Sequence, residues 1–231
     1  MATLDLQVTS GADDSYYRTN SGGSPSLSNN ANDVMAGRFG DNEKAAGSQM
    51  RFQNVTIPPG ATIDEAHLIL HADDTKSSTT VNSKIRGKDV DDATMDTTTG
   101  GFENPPFTTA VVNWDNIGTW VNDTDYNSPD IKTIIQEIID RAGWVSGNDI
   151  VIQWDDIDNR STQSGTVIRT AASYDNGGIY GQTYAAKLHI EYTAGATTDV
   201  SKIAGIAIAS VKKVSSIAIA SVKKIMGVAN T

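Results

Sequence analysis

The chain has 231 residues, a net charge of −10, 38% hydrophobic and 20% charged residues, and no cysteine. It is long enough for one large domain with an appendage, too hydrophobic for a disordered chain, and too interrupted by charge for a membrane span. Lack of cysteine excludes disulfide frameworks, thiolate metal sites and cysteine nucleophiles, and the acidic balance argues against nucleic acid as a partner.

In chain order, Met1-Ala-Thr-Leu-Asp-Leu6 carries neither the basic nor the apolar region of an export signal, so a chain without Sec export is expected. Leu4, Leu6 and Val8 alternate with Asp5 and Gln7, the period-2 pattern of a half-buried antiparallel strand. The same alternation sets Ala66, Leu68, Leu70 and Ala72 against His67, Ile69 and His71, and Ala186, Leu188, Ile190 and Tyr192 against Lys187, His189 and Glu191. Further strands are predicted at 51–57, 80–85, 110–114, 150–154 and 166–170, separated by turn clusters such as 21–25 and 175–178, with Pro58-Pro-Gly60 suited to a turn. One helix is predicted at about 129–142. Ser128 is placed to cap it, Pro129 to start it, and Gly143 to stop it, while Ile131, Ile134, Ile135, Ile138 and Ile139 form one apolar stripe. This order reads as an all-β jelly-roll sandwich with one inserted helix.

Composition changes near 193–198. From Asp199 onward five lysines oppose one acid, +4, so the preceding 198 residues hold −14 of the overall −10. Three units follow from this: a body at 1–193, a linker at 194–198 and a tail at 199–231. The tail repeats: residues 203–213 and 214–224 agree at eight of eleven positions, and a third copy begins at Ile225. An eleven-residue period can specify a right-handed coiled coil, and a basic tail can lie on an anionic membrane, but the bulky positions make a poor helical stripe. Ile and Val content favours strands that bury their faces by self-association, as in a trimeric β-prism or stalk. The residues expected at that interface are Ile203, Ile206, Ile208, Val211, Val214, Ile217, Ile219, Val222, Ile225 and Val228.

Signs of chemistry are sparse. No nucleophile elbow, phosphate loop, dinucleotide fingerprint or HExxH occurs. His67 and His71 lie roughly 13 Å apart on a strand, too far to share an ion. Carboxylates cluster at Asp89–Asp92, Asp123–Asp125 and Asp155–Asp158; calcium is the ion that suits such loops, and Asp155, Asp156 and Asp158 are its candidate ligands. Trp114, Trp120 and Trp144 flank the helix and read as core in preference to sugar-stacking platforms. Tyr16, Tyr17, Tyr174 and Tyr180, read as loop residues, are the candidates for contact with a sugar.

The stretch Arg51-Phe-Gln-Asn-Val-Thr-Ile-Pro-Pro-Gly-Ala-Thr-Ile-Asp-Glu-Ala-His-Leu-Ile-Leu70 resembles the opening signature of DNRLRE-type, carbohydrate-binding-module-like jelly-roll domains of phage and bacterial surface proteins. Val112-Asn-Trp114, Trp120, Ser128-Pro-Asp130, Gly143-Trp144, Gly147-Asn148, Arg169-Thr-Ala171 and Ala186–Tyr192 extend the likeness over roughly residues 1–193. The tail, through 202–212 and 224–229, is similar to the KIxGVA repeats of phage fibres; Val214-Ser-Ser216 departs from them by lacking the glycine. The resemblance implies a non-enzymatic virion surface protein, assembled in the host cytoplasm. Its expected partners are its own copies as a homotrimer, other capsid or tail proteins, and a host glycan. Two roles are open, a tail-fibre-like adhesin and a capsid decoration (cement) protein; a secreted bacterial carbohydrate-binding module would require the export signal.

Overall fold

The computed structural model describes residues 1–20, 25–29, 32–40, 43–76, 80–162, 164–176 and 181–195, and the backbone of six dipeptides in the tail. The chain divides into two compact units, Met1–Ala194 and Gly195–Thr231.

In the first unit the strands run β1 (Ala2–Gln7), β2 (Asp14–Asn20), β3 (Ser26–Ser28), β4 (Asp33–Arg38), β5 (Glu43–Phe52), β6 (Thr62–Ala72), β7 (Val81–Lys88), β8 (Phe107–Ile117), β9 (Thr124–Asn127), β10 (Ile150–Asp155), β11 (Val167–Ala172) and β12 (Lys187–Thr193). Helix α1 (Thr99–Glu103) precedes β8, helix α2 (Lys132–Ile139) precedes β10, and a 3-10 turn (Gly181–Tyr184) precedes β12. Every described pairing is antiparallel, in the order β1-β12-β6-β11-β4-β5-β10-β7-β8, with β9 added to β6 and β2 to β5. The fold is all-β, as the alternating pattern predicts.

The path bends where neighbours share only one residue pair: Ala72 with Ala171 between β6 and β11, and Gly37 with Ala46 between β4 and β5. Gly37 makes its bend with φ +122°, and a Cβ there would run into the carbonyl of Val167. Only glycine meets both conditions. Folded over in this way, Leu68 and Ile190 from one end of the path share a core with Ile85 and Trp114 from the other.

Helix α2 closes the gap between β6 and β8. Its isoleucines at 134, 135, 138 and 139 are all buried. A Cβ on Gly87 of β7 would lie 2.7 Å from Ile134 and 2.8 Å from Ile138, so the helix rests directly on that glycine. Polar side chains then fix the helix at both flanks. Gln136 accepts from Ile63 N–H at 2.8 Å and donates to Ala61 O at 3.1 Å. Glu137 accepts from the N–H groups of Thr109 and Ala110 at 2.6 and 2.7 Å, occupying donors on the edge strand β8.

The helix is shorter than predicted, and the reason lies at Ser128. Its N–H donates to Leu68 O and its hydroxyl accepts from Leu68 N–H, extending the β9–β6 pairing instead of capping. Ile131 takes the cap position, and the helix ends at Ile139, before Gly143. Patterning also missed β2, β3, β4, β9 and α1, whose short sequences carry little alternation, and of the strand predicted at 51–57 only Arg51 and Phe52 are strand, the end of β5, while 53–57 are not.

In the second unit the repeat folds as three two-stranded antiparallel hairpins, β13 (Lys202–Ile203) with β14 (Ile206–Ala207), β15 (Lys213–Val214) with β16 (Ile217–Ala218), and β17 (Lys224–Ile225) with β18 (Val228–Ala229). The register is the same each time: Lys opposite Ala, then Ile203 opposite Ile206, Val214 opposite Ile217, and Ile225 opposite Val228. The period is therefore one hairpin per repeat, paired within the chain. Ile208, Val211, Ile219 and Val222 lie outside the described residues.

Candidate functional site

The candidate sugar-binding tyrosines are not gathered on one surface. Tyr16 and Tyr17 lie on β2 and not in a loop. Tyr17 is fully buried, stacked on Phe102 of α1 at 4.6 Å with its hydroxyl on Glu103, which removes it from any ligand surface. Tyr16 is half-buried and accepts from Arg18 at 2.7 Å, and Tyr174 packs against the core; Tyr180 lies outside the described residues. Every aromatic side chain among the described residues is buried or half-buried. Trp114, Trp120 and Trp144 are buried, as the core reading holds, and Trp154 joins the first two.

The aspartates chosen for calcium serve the protein's own donors. Asp155 receives Arg86 Nη2 on both oxygens at 2.7 and 2.8 Å, with Gln153 Nε2 and Ile157 N–H adding to them. Asp156 accepts from the N–H groups of Arg160 and Ser161 at 2.6 and 3.0 Å, and burial raises its carboxyl above the usual range. Asp158 pairs with Lys84, which lowers its carboxyl. Three carboxylates adjacent in sequence thus face three donor sets, because the turn after β10 points them apart. Among the described residues no group of three or more His, Asp or Glu side chains is placed to hold a metal ion. An open groove of about 540 Å³ runs along α2 between Asp89, Gln136, Glu137 and Arg141, but Glu137 is bound to the β8 backbone and Arg141 to Asp89 and Asp91.

A cluster that sequence reading missed lies on the outward face of β6, β12 and β1. The three histidines of the chain all stand on this face. His67 on β6 is directly opposite His189 on β12, which is opposite Asp5 on β1; one row further, Glu65 faces Glu191. His67 points Nδ1 at Ser128 O and Nε2 at Glu65, both at 2.8 Å. His189 points Nδ1 at Asp5 at 2.6 Å, with Nε2 3.8 Å from Glu191. His71, buried and stacked on Tyr184 at 3.9 Å, points Nδ1 at Asp125 at 2.6 Å and Nε2 at Asp123 at 3.2 Å. The outward alternation of all three was legible; the register that pairs residues 67 and 189 was not.

Where β6 ends, its successor Asp73 meets Asp33 at the start of β4, carboxyl to carboxyl. Burial first, then the hydrogen bond and the charge of Asp73, push the Asp33 carboxyl up to about 8, against the opposing pull of Lys76. The segment after β11 passes the same place: Asn176 Nδ2 donates to Asn32 O at 2.7 Å, and Tyr174 N–H donates to Asp14 at 2.7 Å. Burial, with Asp175 and Asp13 nearby, raises Asp14 to about 7 despite the bond from Tyr174. Asp13 itself is held by Arg51 Nε at 2.6 Å and Gln53 at 2.9 Å.

No protein family matches the sequence, and no curated protein matches it. No helix of the described residues is long and apolar enough to cross a membrane.

Proposed function

We propose that the chain is a non-enzymatic structural protein of a virion surface, in which a jelly-roll body is carried on a tail that assembles as a trimeric β-prism. The observation that carries this reading is the tail: three hairpins in one register at an eleven-residue step. An isolated two-stranded hairpin is marginal in water, so a row of them with paired Ile and Val needs further copies or a neighbouring protein to cover it. The resemblance to phage jelly-roll domains and fibre repeats supplies the setting. Among the described residues, Asp155, Asp156, Asp158 and the three histidines each meet groups of the protein itself, which supports a structural role over a catalytic one.

Of the two roles, capsid decoration is favoured over glycan capture, because no aromatic among the described residues stands exposed to stack on a sugar. Replacing one apolar position in each of the first two hairpins, with Ile206→Asp and Ile217→Asp, is expected to yield a folded monomer by sedimentation velocity. An unchanged sedimentation coefficient would count against assembly through the tail.

A further inference from the structure

The path of the sheet has two ends, β1 and β8, and they are finished differently. At β8, Glu137 of α2 takes the N–H groups of Thr109 and Ala110. At β1, Val8 N–H donates to Ala186 O at 3.0 Å, and pairing with β12 runs on without a bulge from Leu6–Leu188 to Ala2–Tyr192. Bonded and non-bonded pairs alternate in an antiparallel ladder. Ala2, Leu4 and Leu6 therefore spend their backbone groups on β12, while Thr3, Asp5 and Gln7 turn theirs to the open side. Among the described residues no strand or side chain meets these groups. Native edges are commonly blunted by lysine, proline or a bulge, and β1 has none of the three.

Side chains on both faces of this edge suit a further strand. On the inner face Leu4 and Leu6 pack against the core yet stay half-exposed. On the outer face Asp5 is 73% exposed, although His189 Nδ1 lies 2.6 Å from it. Beside it opens a cavity of about 280 Å³ lined by Asp5, Leu6, Gln7, Ile69 and Lys187. Gln7 Nε2 donates to the carbonyls of Gln182, Thr183 and Ala185 at 3.0, 3.0 and 3.1 Å, which fixes that wall of the cavity in advance. We propose that β1 is an acceptor edge for an extended segment of a second protein, apolar on the side that meets Leu4 and Leu6 and basic at the residue opposite Asp5. This inference is independent of the assembly reading above.

In strand addition, backbone bonds supply the attraction and pockets for alternate side chains supply the choice. Charge decides between occupants here. Residues 1–198 hold −14, so the same edge of a second copy would bring acid against acid. In the next row of the outer face Glu191 stands between Thr3 and Glu65, which deepens the negative field beside Asp5. A lysine or arginine opposite Asp5 is attracted across the strands, and an acid there is repelled. The cavity is lined by one acid, one lysine and Ile69, so its charges offset, and a small uncharged side chain such as threonine suits the position opposite Gln7.

Hydrogen exchange of the full chain, read at single amides with and without the capped peptide Val-Thr-Val-Lys-Val-Thr-Val, tests the edge. With the peptide in millimolar excess, protection of Thr3, Asp5 and Gln7 is expected to rise about tenfold or more, with β10 unchanged. N-methyl groups on the lysine and threonine amides of the peptide should abolish the effect, and on its valine amides should leave it, because only the first set faces β1. Glutamate in place of the lysine should abolish it as well. Thr3→Pro removes one outward N–H and no bond to β12, so it should keep the melting temperature while weakening the peptide. No gain at Thr3, Asp5 and Gln7, equal binding of the glutamate peptide, or binding untouched by Thr3→Pro would each overturn the proposal. So would a solution mass of the full chain that falls on Thr3→Pro, since the edge would then belong to another copy.

Discussion

Trp120→Ala is expected to lower the stability of the body by about 3–5 kcal/mol, the usual cost of truncating a buried indole. The residue is buried and joins distant parts of the sheet. Its backbone exchanges two 3.0 Å hydrogen bonds with Lys76, beyond the end of β6. Its ring stacks on Tyr126 of β9 at 4.7 Å and on Trp154 of β10 at 5.7 Å, with Trp114 of β8 at 5.9 Å. Truncation therefore opens a cavity bounded by side chains that other contacts hold in place, such as Trp154, whose Nε1 donates to Ser83 at 2.8 Å. Such a site collapses little, which puts the cost toward the upper end. Urea denaturation followed by tryptophan fluorescence reads it directly, and a loss under 1 kcal/mol would mean that the ring cluster is not part of the core.

Asp155→Ala is the second large effect. Removing this carboxylate strips Arg86 of its partner beneath Phe107, whose ring it underlies at 4.1 Å, and leaves the Ile157 N–H without an acceptor. Breaking a buried ion pair by deleting one member costs about 3–5 kcal/mol, because a charge is left uncompensated. Asp155 is 1% exposed and Arg86 15%, so solvent relieves little of this. The same loss is expected in calcium and in a chelator. Stability of the unmodified protein that rises several-fold in calcium, and is lost with Asp155→Ala, would return these aspartates to metal binding.

Alternation exposed the long strands because their inward residues are aliphatic at every second position, as in β6 and β12. It failed where burial is polar, as in β2, which buries Asp14, Ser15 and Tyr17; β10 and β11, buried at every position and so without alternation, were still located at 150–154 and 166–170. The Ile stripe located α2, yet its first turn was misplaced because the Ser128 hydroxyl had a competing use in the sheet. Clustered aspartates suggested a cation from adjacency alone, and adjacency in a turn does not make carboxylates converge. The histidine row has the opposite character, since residues 67 and 189 meet only through strand register. Internal repetition was fully legible in the tail, and what it added was strand pairing within each copy.

The mass of the full chain in solution, compared with that of residues 1–194 by light scattering after size exclusion, is the most direct test of the tail as the assembling element. The break at Ala194 leaves the body's own core complete. Three times the 24.5 kDa chain mass for the full protein, with a monomeric body, is the expected result. A monomeric full chain, or a trimer that persists without the tail, would contradict it.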